Sequence, residues 1–356
     1  MKPESHAVAI RDDPRPPVIE KLRGTLVHIP DLQCLMHGWP QGVHPDVDRL
    51  EVEVSQILES IFSSPQDAKR LQKVKASGLA LFGASWWACV PYEKLRIATH
   101  LMIWLFTWDD GMLYPAIFSL FTTNKYEETD SHEYSSLVYD VERSRRFRED
   151  TLLFLKETLL PRDESRVELS INPIIANFKP IGDAISESYD HRRVGAFLDE
   201  LRFYIEMTEE EQQLQSVQKL PTIGEYMRRR MGSGAVRVLL AITEYVYNLD
   251  IPHEVMEQGF MEKIWDETNI IISVVNDILS IKKEIDQEQI DSLIPLLTLE
   301  VGTGQLAINK AVEMVDTAVQ RFEQAEEDAL ASCRSRSTVL EDVPSYRKGT
   351  KLDAKI

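Results

Sequence analysis

Hydrophobic residues recur at helical spacing along most of this chain, and strand-like alternation is rare. The spacing predicts helices over roughly these ranges: 48–62, 94–110, 135–160, 169–189, 193–207, 222–248, 254–285 and 305–331. Because helices of this kind each bury an apolar face, the pattern indicates an all-α fold, a helical bundle that surrounds a central cavity.

Length and composition favour one domain. The 356 residues with 43% hydrophobic content can bury a single large core, and no repeat or long linker argues for a split. We therefore expect a helical domain over 46–334. The proline-rich residues 1–45 are interpreted as an extended arm that wraps or frays, and 335–356 as an atypical tail.

Charge and cysteine content exclude several classes of function. A formal net charge of −18 argues against nonspecific binding to nucleic acid or to anionic membranes. No apolar run resembles a signal peptide or reaches the length of a membrane span. Cys34, Cys89 and Cys333 are few and widely spaced, so no disulfide framework or zinc site is indicated. We expect a cytoplasmic protein.

A metal-ligand pattern stands near the end of the predicted helix 254–285. Asn276, Ser280 and Glu284 are spaced at i, i+4 and i+8, which puts three oxygen ligands on one helix face. An amide oxygen, a hydroxyl and a carboxylate together suit a hard divalent cation that keeps positions open for water and phosphate. Magnesium is the natural candidate.

Two further clusters carry complementary chemistry. Asp109 and Asp110 follow a long apolar stretch, and adjacent carboxylates at such a place are costly unless a cation meets them. Arg228, Arg229 and Arg230 precede a Gly232-Ser233-Gly234 break that would weaken or kink a helix. A guanidinium suits phosphate oxygens, although composition does not decide which of the three points inward.

Together these motifs resemble class I terpene synthases, in particular the microbial and fungal-type sesquiterpene cyclases. The run from Asn276 to Glu284 resembles their NDxxSxxKE element, and Asp109-Asp110 resembles the start of their DDxxD motif. The family places its diphosphate-sensing arginine 46 residues before the asparagine, which favours Arg230 and leaves Arg228 and Arg229 as a solvated basic pair.

The resemblance implies a role for each candidate. Three Mg²⁺ ions would be held with the diphosphate by Asp109, Asp110, Asp130, Asn276, Ser280 and Glu284. Arg230 and Lys283 would bind the diphosphate, and Phe106, one turn before Asp109, would line the cavity and stabilise a carbocation. Weaker candidates for the cavity lining are Trp86, Trp87, Trp104 and Trp265.

The implied function is magnesium-dependent ionisation and cyclisation of farnesyl diphosphate to a sesquiterpene, with release of diphosphate, in secondary metabolism. Members of the family are often monomers or dimers, so the resemblance implies a monomer or homodimer. The alternatives are geranyl diphosphate as the substrate, a catalytically impaired relative, and a chain-elongating prenyltransferase. The prenyltransferase would carry a second aspartate-rich motif where Asn276, Ser280 and Glu284 stand.

Two departures from the family pattern bear on activity. The third carboxylate expected soon after Asp110 is missing, but excision of 111–127 would restore an Asp109-Asp110-Glu128-Thr129-Asp130 motif. We interpret 111–127 as a late insertion or a retained intron, which transcript sequencing would decide. The tail contains Tyr346-Arg347 in place of the family's Arg-Tyr pair, so the diphosphate-binding role of that pair is not assigned here.

Overall fold

The computed structural model describes residues 15–112, 140–160, 172–216, 220–334, 345–346 and 349–351. Within these residues the secondary structure is helical, with no strand, as the sequence predicted. The helices are α1 Arg15–Leu22, α2 Val47–Ile61, α3 Ala68–Lys75, α4 Leu79–Trp86, α5 Tyr92–Met112, α6 Val141–Leu159, α7 Pro173–Ala176, α8 Lys179–Ser188, α9 His191–Ser216, α10 Ile223–Ser233, α11 Val236–Leu240, α12 Thr243–Tyr247, α13 His253–Met256, α14 Gly259–Asp286, α15 Leu293–Val301 and α16 Gly304–Arg334.

Two hydrophobic clusters hold the bundle together. One buries side chains of α2, α4, α5, α6, α8 and α9, and the other is formed mainly by α14, α15 and α16. Helix α5 contributes buried residues all around its circumference, including Leu101, Trp104 and Trp108. Such a helix is stable only inside a bundle, and it carries Asp109 with it into the protein.

The predicted helix 222–248 is divided into three. α10 ends at Ser233, and the N–H of Gly234 bonds to Arg230 O at 3.0 Å. Ala235 then takes a left-handed conformation with φ of 56° before α11 begins. The Gly232-Ser233-Gly234 segment therefore breaks the helix, which turns the chain between the arginine cluster and α11.

Sequence periodicity missed the short helices α3, α4 and α15. Helix α4 is apolar on all sides, so it shows no amphipathic pattern, and α3 and α4 have only eight residues each. Gly78, with φ of 73°, separates them. Helices this short fall below the length at which a 3.6-residue period is detectable.

The described part of the N-terminal arm packs on the helical domain. Val18 and Leu22 of α1 form a small cluster with Ile285, next to Glu284. Further along, Trp39 packs on Phe322 of α16 at 4.9 Å between ring centroids, and its Nε1 donates to Glu323 at 3.1 Å. The arm therefore covers α16 and the C-terminal end of α14.

The described residues of the tail also dock on the bundle, away from the α14 polar triad. Tyr346 is buried, and Trp265 Nε1 donates to its hydroxyl at 2.6 Å. Lys351 pairs with Glu326 at 2.7 Å, and its ammonium lies 5.3 Å from the ring centroid of Trp39. Trp265 is near the start of α14, eleven residues before Asn276, so Tyr346 lies toward the opposite end of this helix.

No helix in the described ranges combines the length and the apolar character that crossing a membrane requires.

Candidate active site

The predicted metal ligands of α14 lie on one face near its C-terminal end. Ser280 Oγ donates to one carboxylate oxygen of Glu284, and Ser292 Oγ, from the loop before α15, donates to the other. Asn276 is half-buried one turn earlier. The spacing of four residues therefore collects an amide, a hydroxyl and a carboxylate, as predicted from the sequence.

Arg230 reaches this face from α10. Its Nη2 donates to Asn276 Oδ1 at 2.9 Å, and it lies 3.5 Å from Asp277 Oδ1. Tyr226, one turn before Arg230, donates its hydroxyl to Asp277 Oδ2 at 2.5 Å. Burial opposes the charge on Arg230, but Tyr226 and Asp277 outweigh it and raise the pKa of Arg230. The guanidinium is therefore charged and held beside the triad.

Asp109 lies at the end of α5 and is only 5% exposed. The hydroxyl of Tyr204 on α9 lies close to this carboxylate, and burial and then the charge of Asp109 raise the pKa of Tyr204. Arg148 of α6 also interacts electrostatically with Asp109. Its Nη2 donates to Gln212 Oε1 at 2.8 Å. A buried carboxylate in this setting has cationic and hydrogen-bonding neighbours, and it remains an oxygen donor for a metal.

Helix α9 connects the two predicted clusters. Tyr204 lies close to Asp109, while Glu211, two turns further along α9, is influenced by the charge of Arg229 on α10. From α10, Arg230 contacts Asn276. Helix α9 therefore lies beside Asp109 at Tyr204 and beside α10 at Glu211, and α10 reaches α14 through Arg230.

The remaining sequence candidates occupy different places. The side chain of Asp110 and all of Asp130 lie outside the described residues. Lys283 is half-buried on α14. Phe106 is partly buried and lies 6.0 Å from Phe82 between ring centroids.

The tryptophan candidates are mostly part of the core. Trp86, Trp87 and Trp104 are buried, and Trp104 Nε1 donates to Ile174 O at 2.9 Å. Trp265 bonds to Tyr346 of the tail. Nothing in these contacts favours a cavity role over a packing role for the four residues.

One interpretation from the sequence is wrong. Arg229 was assigned with Arg228 to a solvated basic pair, yet Arg229 is 1% exposed. Arg228 is exposed and pairs with Glu210 at 2.7 Å, as expected. The spacing from Tyr226 explains the difference, since residues three apart on a helix share a face and Tyr226 is itself buried.

The donor set fits a hard cation. Among the described residues, no group of three or more His, Cys, Asp or Glu is placed to hold a metal, so the candidate centre on α14 is a mixed set of amide, hydroxyl and carboxylate oxygens. Oxygen-only ligands with few charges suit Mg²⁺, which keeps several positions for water and phosphate. Burial raises the pKa of Glu284, and the negative charge of Asp277 raises it further. A cation at this carboxylate would offset its desolvation.

A cleft of about 700 Å³ lies elsewhere, between α9, α12, α13 and the first turns of α14, with Tyr346 in its wall. Its charged side chains are paired with each other, for example Arg193 with Glu244 at 3.0 Å. This cleft does not include the α14 triad or Asp109.

Sequence reasoning missed three residues that support the site. Tyr226 could have been found because it stands four residues before Arg230, and Asp277 because it follows Asn276 directly. Ser292 gave no signal, since it lies beyond a loop and approaches Glu284 only in the folded protein.

Comparison with known proteins is consistent with this geometry. Residues 138–321, more than half of the chain, match the family model "Terpene synthase family 2, C-terminal metal binding". Sesquiterpene cyclase hepA of Aspergillus oryzae is 28% identical over 347 residues, which cover 95% of this chain and 88% of hepA. Terpene cyclase braA of Annulohypoxylon truncatum is 22% identical and covers 85% of this chain and 76% of its own length.

Solved structures share the fold. A hedycaryol synthase in complex with HEPES superposes with a TM-score of 0.70 at 16% identity and covers 92% of this chain and 96% of its own. A linalool/nerolidol synthase from Streptomyces clavuligerus in complex with 2-fluorogeranyl diphosphate has a TM-score of 0.69 at 15% identity, over 89% and 94% of the two chains. With its all-α bundle and its match over residues 138–321, this chain belongs to terpene synthase family 2, whose C-terminal region is described as metal-binding.

Proposed function

We propose that this protein ionises and cyclises farnesyl diphosphate to a sesquiterpene in a magnesium-dependent reaction that releases diphosphate. The observation that carries the proposal is the hydrogen bond from Arg230 to Asn276, which joins a phosphate-binding cation to the first residue of the metal-ligand triad. The similarity to hepA, which is named a sesquiterpene cyclase, supports the choice of reaction and substrate.

We propose that one set of residues binds the metal and another binds the diphosphate. Asn276, Ser280 and Glu284 would hold magnesium on α14, and Asp109 would hold it from α5, with Asp110 and Asp130 as further ligands. We propose three ions with the diphosphate bound. Magnesium in these positions supplies positive charge that stabilises the leaving group.

Arg230 assists from α10 by donating to oxygens of the leaving diphosphate, and Lys283 adds a second cation from α14. These donors are fixed before the bond breaks, so charge that develops on the diphosphate meets an arranged set of partners. This differential stabilisation makes ionisation of an allylic diphosphate feasible in a protein interior.

The carbocation that remains needs an environment without water. Phe106, one turn before Asp109, would present an aromatic face that stabilises the cation without reacting with it. An apolar cavity around it prevents premature quenching and leaves the final skeleton to the contour of the wall.

The remaining proposals follow the family. We propose a cytoplasmic monomer or homodimer that acts on a prenyl diphosphate. Geranyl diphosphate is the alternative substrate. A catalytically impaired relative is the second candidate function, and one observation favours it: Tyr346 is bonded to Trp265, so this tyrosine does not serve as a diphosphate donor beside Arg230.

Incubation of the purified full chain with Mg²⁺ and farnesyl diphosphate, with headspace detection of hydrocarbons, tests the proposal. A cyclic sesquiterpene supports it, whereas a longer prenyl diphosphate would identify a prenyltransferase. Absence of product from both farnesyl and geranyl diphosphate, with the protein folded, favours the impaired relative. Asn276→Ala is the matched negative control because it removes the amide ligand from α14.

A further inference from the structure

Arg229 is a buried cation whose two terminal nitrogens have no partner among the residues that the structure describes. The residue is 1% exposed. Neither Nη1 nor Nη2 has a hydrogen-bond partner among the described residues. A buried guanidinium in this state is strongly unfavourable, and proteins retain buried charges where an opposite charge compensates them. The geometry therefore calls for an anionic partner at Arg229.

The two neighbouring arginines differ in this respect. Arg228 is exposed and pairs with Glu210 at 2.7 Å. Arg230 donates to Asn276 at 2.9 Å and lies 3.5 Å from Asp277. Of three consecutive arginines, one pairs at the surface and one is held at the metal-ligand helix. Arg229 is buried, and its two terminal nitrogens make no hydrogen bond to any described residue.

Arg229 shares a buried face of α10 with Tyr226, whose hydroxyl reaches the helix of the triad. Tyr226, Arg229 and Ser233 are buried at three- and four-residue spacing, so they share one face of the helix. The guanidinium carbon of Arg229 is 5.6 Å from the ring centroid of Tyr226, and the hydroxyl of Tyr226 bonds to Asp277 at 2.5 Å. One side chain therefore separates Arg229 from the helix that carries the triad.

Glu211 of α9 is the nearby carboxylate, and it does not satisfy Arg229. Burial raises the pKa of Glu211, and the positive charge of Arg229 is the strongest influence in the other direction. Among the described residues, Glu211 makes no hydrogen bond to Nη1 or Nη2 of Arg229. The unused donors remain available to a ligand with several oxygens.

We propose that Arg229 is a second guanidinium for the substrate diphosphate, which acts beside Arg230. The inference rests on the proposed function, and it identifies how this chain offsets the position of Tyr346, which is bonded to Trp265 near the other end of α14. A planar fork of N–H donors matches two oxygens of a diphosphate, as a lysine ammonium does not.

Isothermal titration of the full chain with inorganic diphosphate in the presence of Mg²⁺ tests this inference. We expect Arg229→Met to weaken binding about 10-fold or more, the loss of one charge-assisted pair. Arg229→Lys keeps the positive charge but lacks the planar fork of donors. Its affinity for diphosphate should therefore lie between that of the wild type and that of Arg229→Met. Arg228→Met removes an exposed, paired arginine from the same helix and should bind within about 2-fold of the wild type.

Thermal unfolding gives an independent readout. Because the terminal nitrogens of Arg229 have no hydrogen-bond partner in the part of the chain that the structure describes, Arg229→Met should unfold at the same temperature as the wild type or higher when diphosphate is absent. It should be stabilised less than the wild type when Mg²⁺ and diphosphate are added. An arginine with a merely structural role would show the reverse, a lower unfolding temperature without ligand and the same stabilisation with it.

The outcomes separate this inference from the proposed function. Equal diphosphate affinity in the wild type and Arg229→Met overturns the role of Arg229 and leaves the proposed function standing if the wild type forms a terpene. A wild type that neither binds diphosphate nor forms product overturns both. Should Arg229→Met not fold, Arg229→Lys decides, since wild-type affinity in that variant contradicts a need for the guanidinium fork.

Discussion

Arg230 and Asn276 lie on different helices and are joined by a hydrogen bond of 2.9 Å from Nη2 to the amide oxygen. The amide oxygen is the atom that would coordinate a metal, so this bond would link the proposed phosphate binding to the proposed metal binding. If a metal took this oxygen, the guanidinium would be free to donate to the diphosphate instead. The two ligands would then favour each other's binding.

Removal of the Arg230 guanidinium should abolish most of the activity. We expect Arg230→Met to lower the rate of diphosphate release by about 100-fold or more, because a fixed donor to a developing charge is lost. A coupled diphosphate-release assay measures this, with circular dichroism to check the fold. Arg228→Met, whose arginine pairs with exposed Glu210, is the control. Comparable rates in the two variants would contradict the role of Arg230.

The carboxylate of Glu284 should set the magnesium requirement. Glu284→Gln removes one negative charge from the ligand set but keeps its shape, so we expect the Mg²⁺ concentration for half-maximal rate to rise about 10-fold. Rates over a range of Mg²⁺ concentrations provide the measurement. Glu288→Gln serves as the matched control, since Glu288 is exposed and pairs with Arg23 at 3.1 Å. An unchanged Mg²⁺ dependence in Glu284→Gln would argue against metal binding there.

His100 should make the stability of the protein depend on acidity. Burial lowers the pKa of His100 to about 4, while a contact with Asn177 partly opposes this shift. The unfolded chain takes up a proton below about pH 6.5, and the folded protein does not until about pH 4. The contribution of His100 to stability is therefore complete above pH 6.5 and is lost as the pH falls toward 4, with about 2 kcal/mol lost by pH 5.

Urea unfolding at pH 7 and pH 5 measures this effect. His100→Gln cannot titrate, so its free energy of unfolding should fall less between the two pH values than that of the wild type. His37→Gln is the control because His37 is exposed. Equal pH dependence in His100→Gln and the wild type would show that His100 is protonated in the folded protein at pH 5.

Tyr346 should contribute to the stability of the protein by holding the tail, and it should not contribute to diphosphate binding. Tyr346→Phe removes the acceptor of the 2.6 Å bond from Trp265 Nε1, so we expect a loss of about 1 kcal/mol in stability. The affinity for diphosphate should not change, because the phenol lies near the other end of α14. Calorimetric titration and urea unfolding report the two quantities. A clear loss of diphosphate affinity would mean that the tail rearranges to reach the site.

Deletion of 111–127 should raise activity. The deletion joins Asp110 to Glu128 and restores an Asp109-Asp110-Glu128-Thr129-Asp130 motif, which supplies a further carboxylate for metal. We expect faster turnover than in the full chain, measured as diphosphate release. Asp130→Asn in the shortened chain should reverse the gain. If every mature mRNA keeps the codons for 111–127, the intron interpretation is wrong. The expected effect of the deletion on activity would then be that of removing an inserted segment of the protein.

The long elements of the fold were predictable because their periodicity extends over many turns. α14 and α16 lie close to the predicted ranges 254–285 and 305–331. Short helices such as α4 are apolar throughout and carry no period, so their boundaries depend on tertiary packing and on Gly78. The break after Ser233 was predictable from its glycines, while the left-handed turn at Ala235 was not.

Some residues of the candidate site could likewise be predicted from the sequence, and others could not. Asn276, Ser280 and Glu284 are ligands on one helix, so spacing alone brings them together. The choice of Arg230 required the family resemblance, because three adjacent arginines cannot be separated by composition. The burial of Arg229 and the approach of Ser292 to Glu284 depend on how α10 and the loop before α15 pack against their neighbours, which local sequence does not encode.

The contact of Lys351 with the ring of Trp39 fastens a segment near each end of the chain to the same helix, α16. Removal of the C-terminal segment would therefore expose the indole of Trp39 and create an apolar surface that favours self-association. Expression variants that keep residues 345–351 should stay monodisperse at concentrations where shortened ones self-associate. Light scattering would reveal the difference, and an affinity tag is better placed beyond this junction than within it.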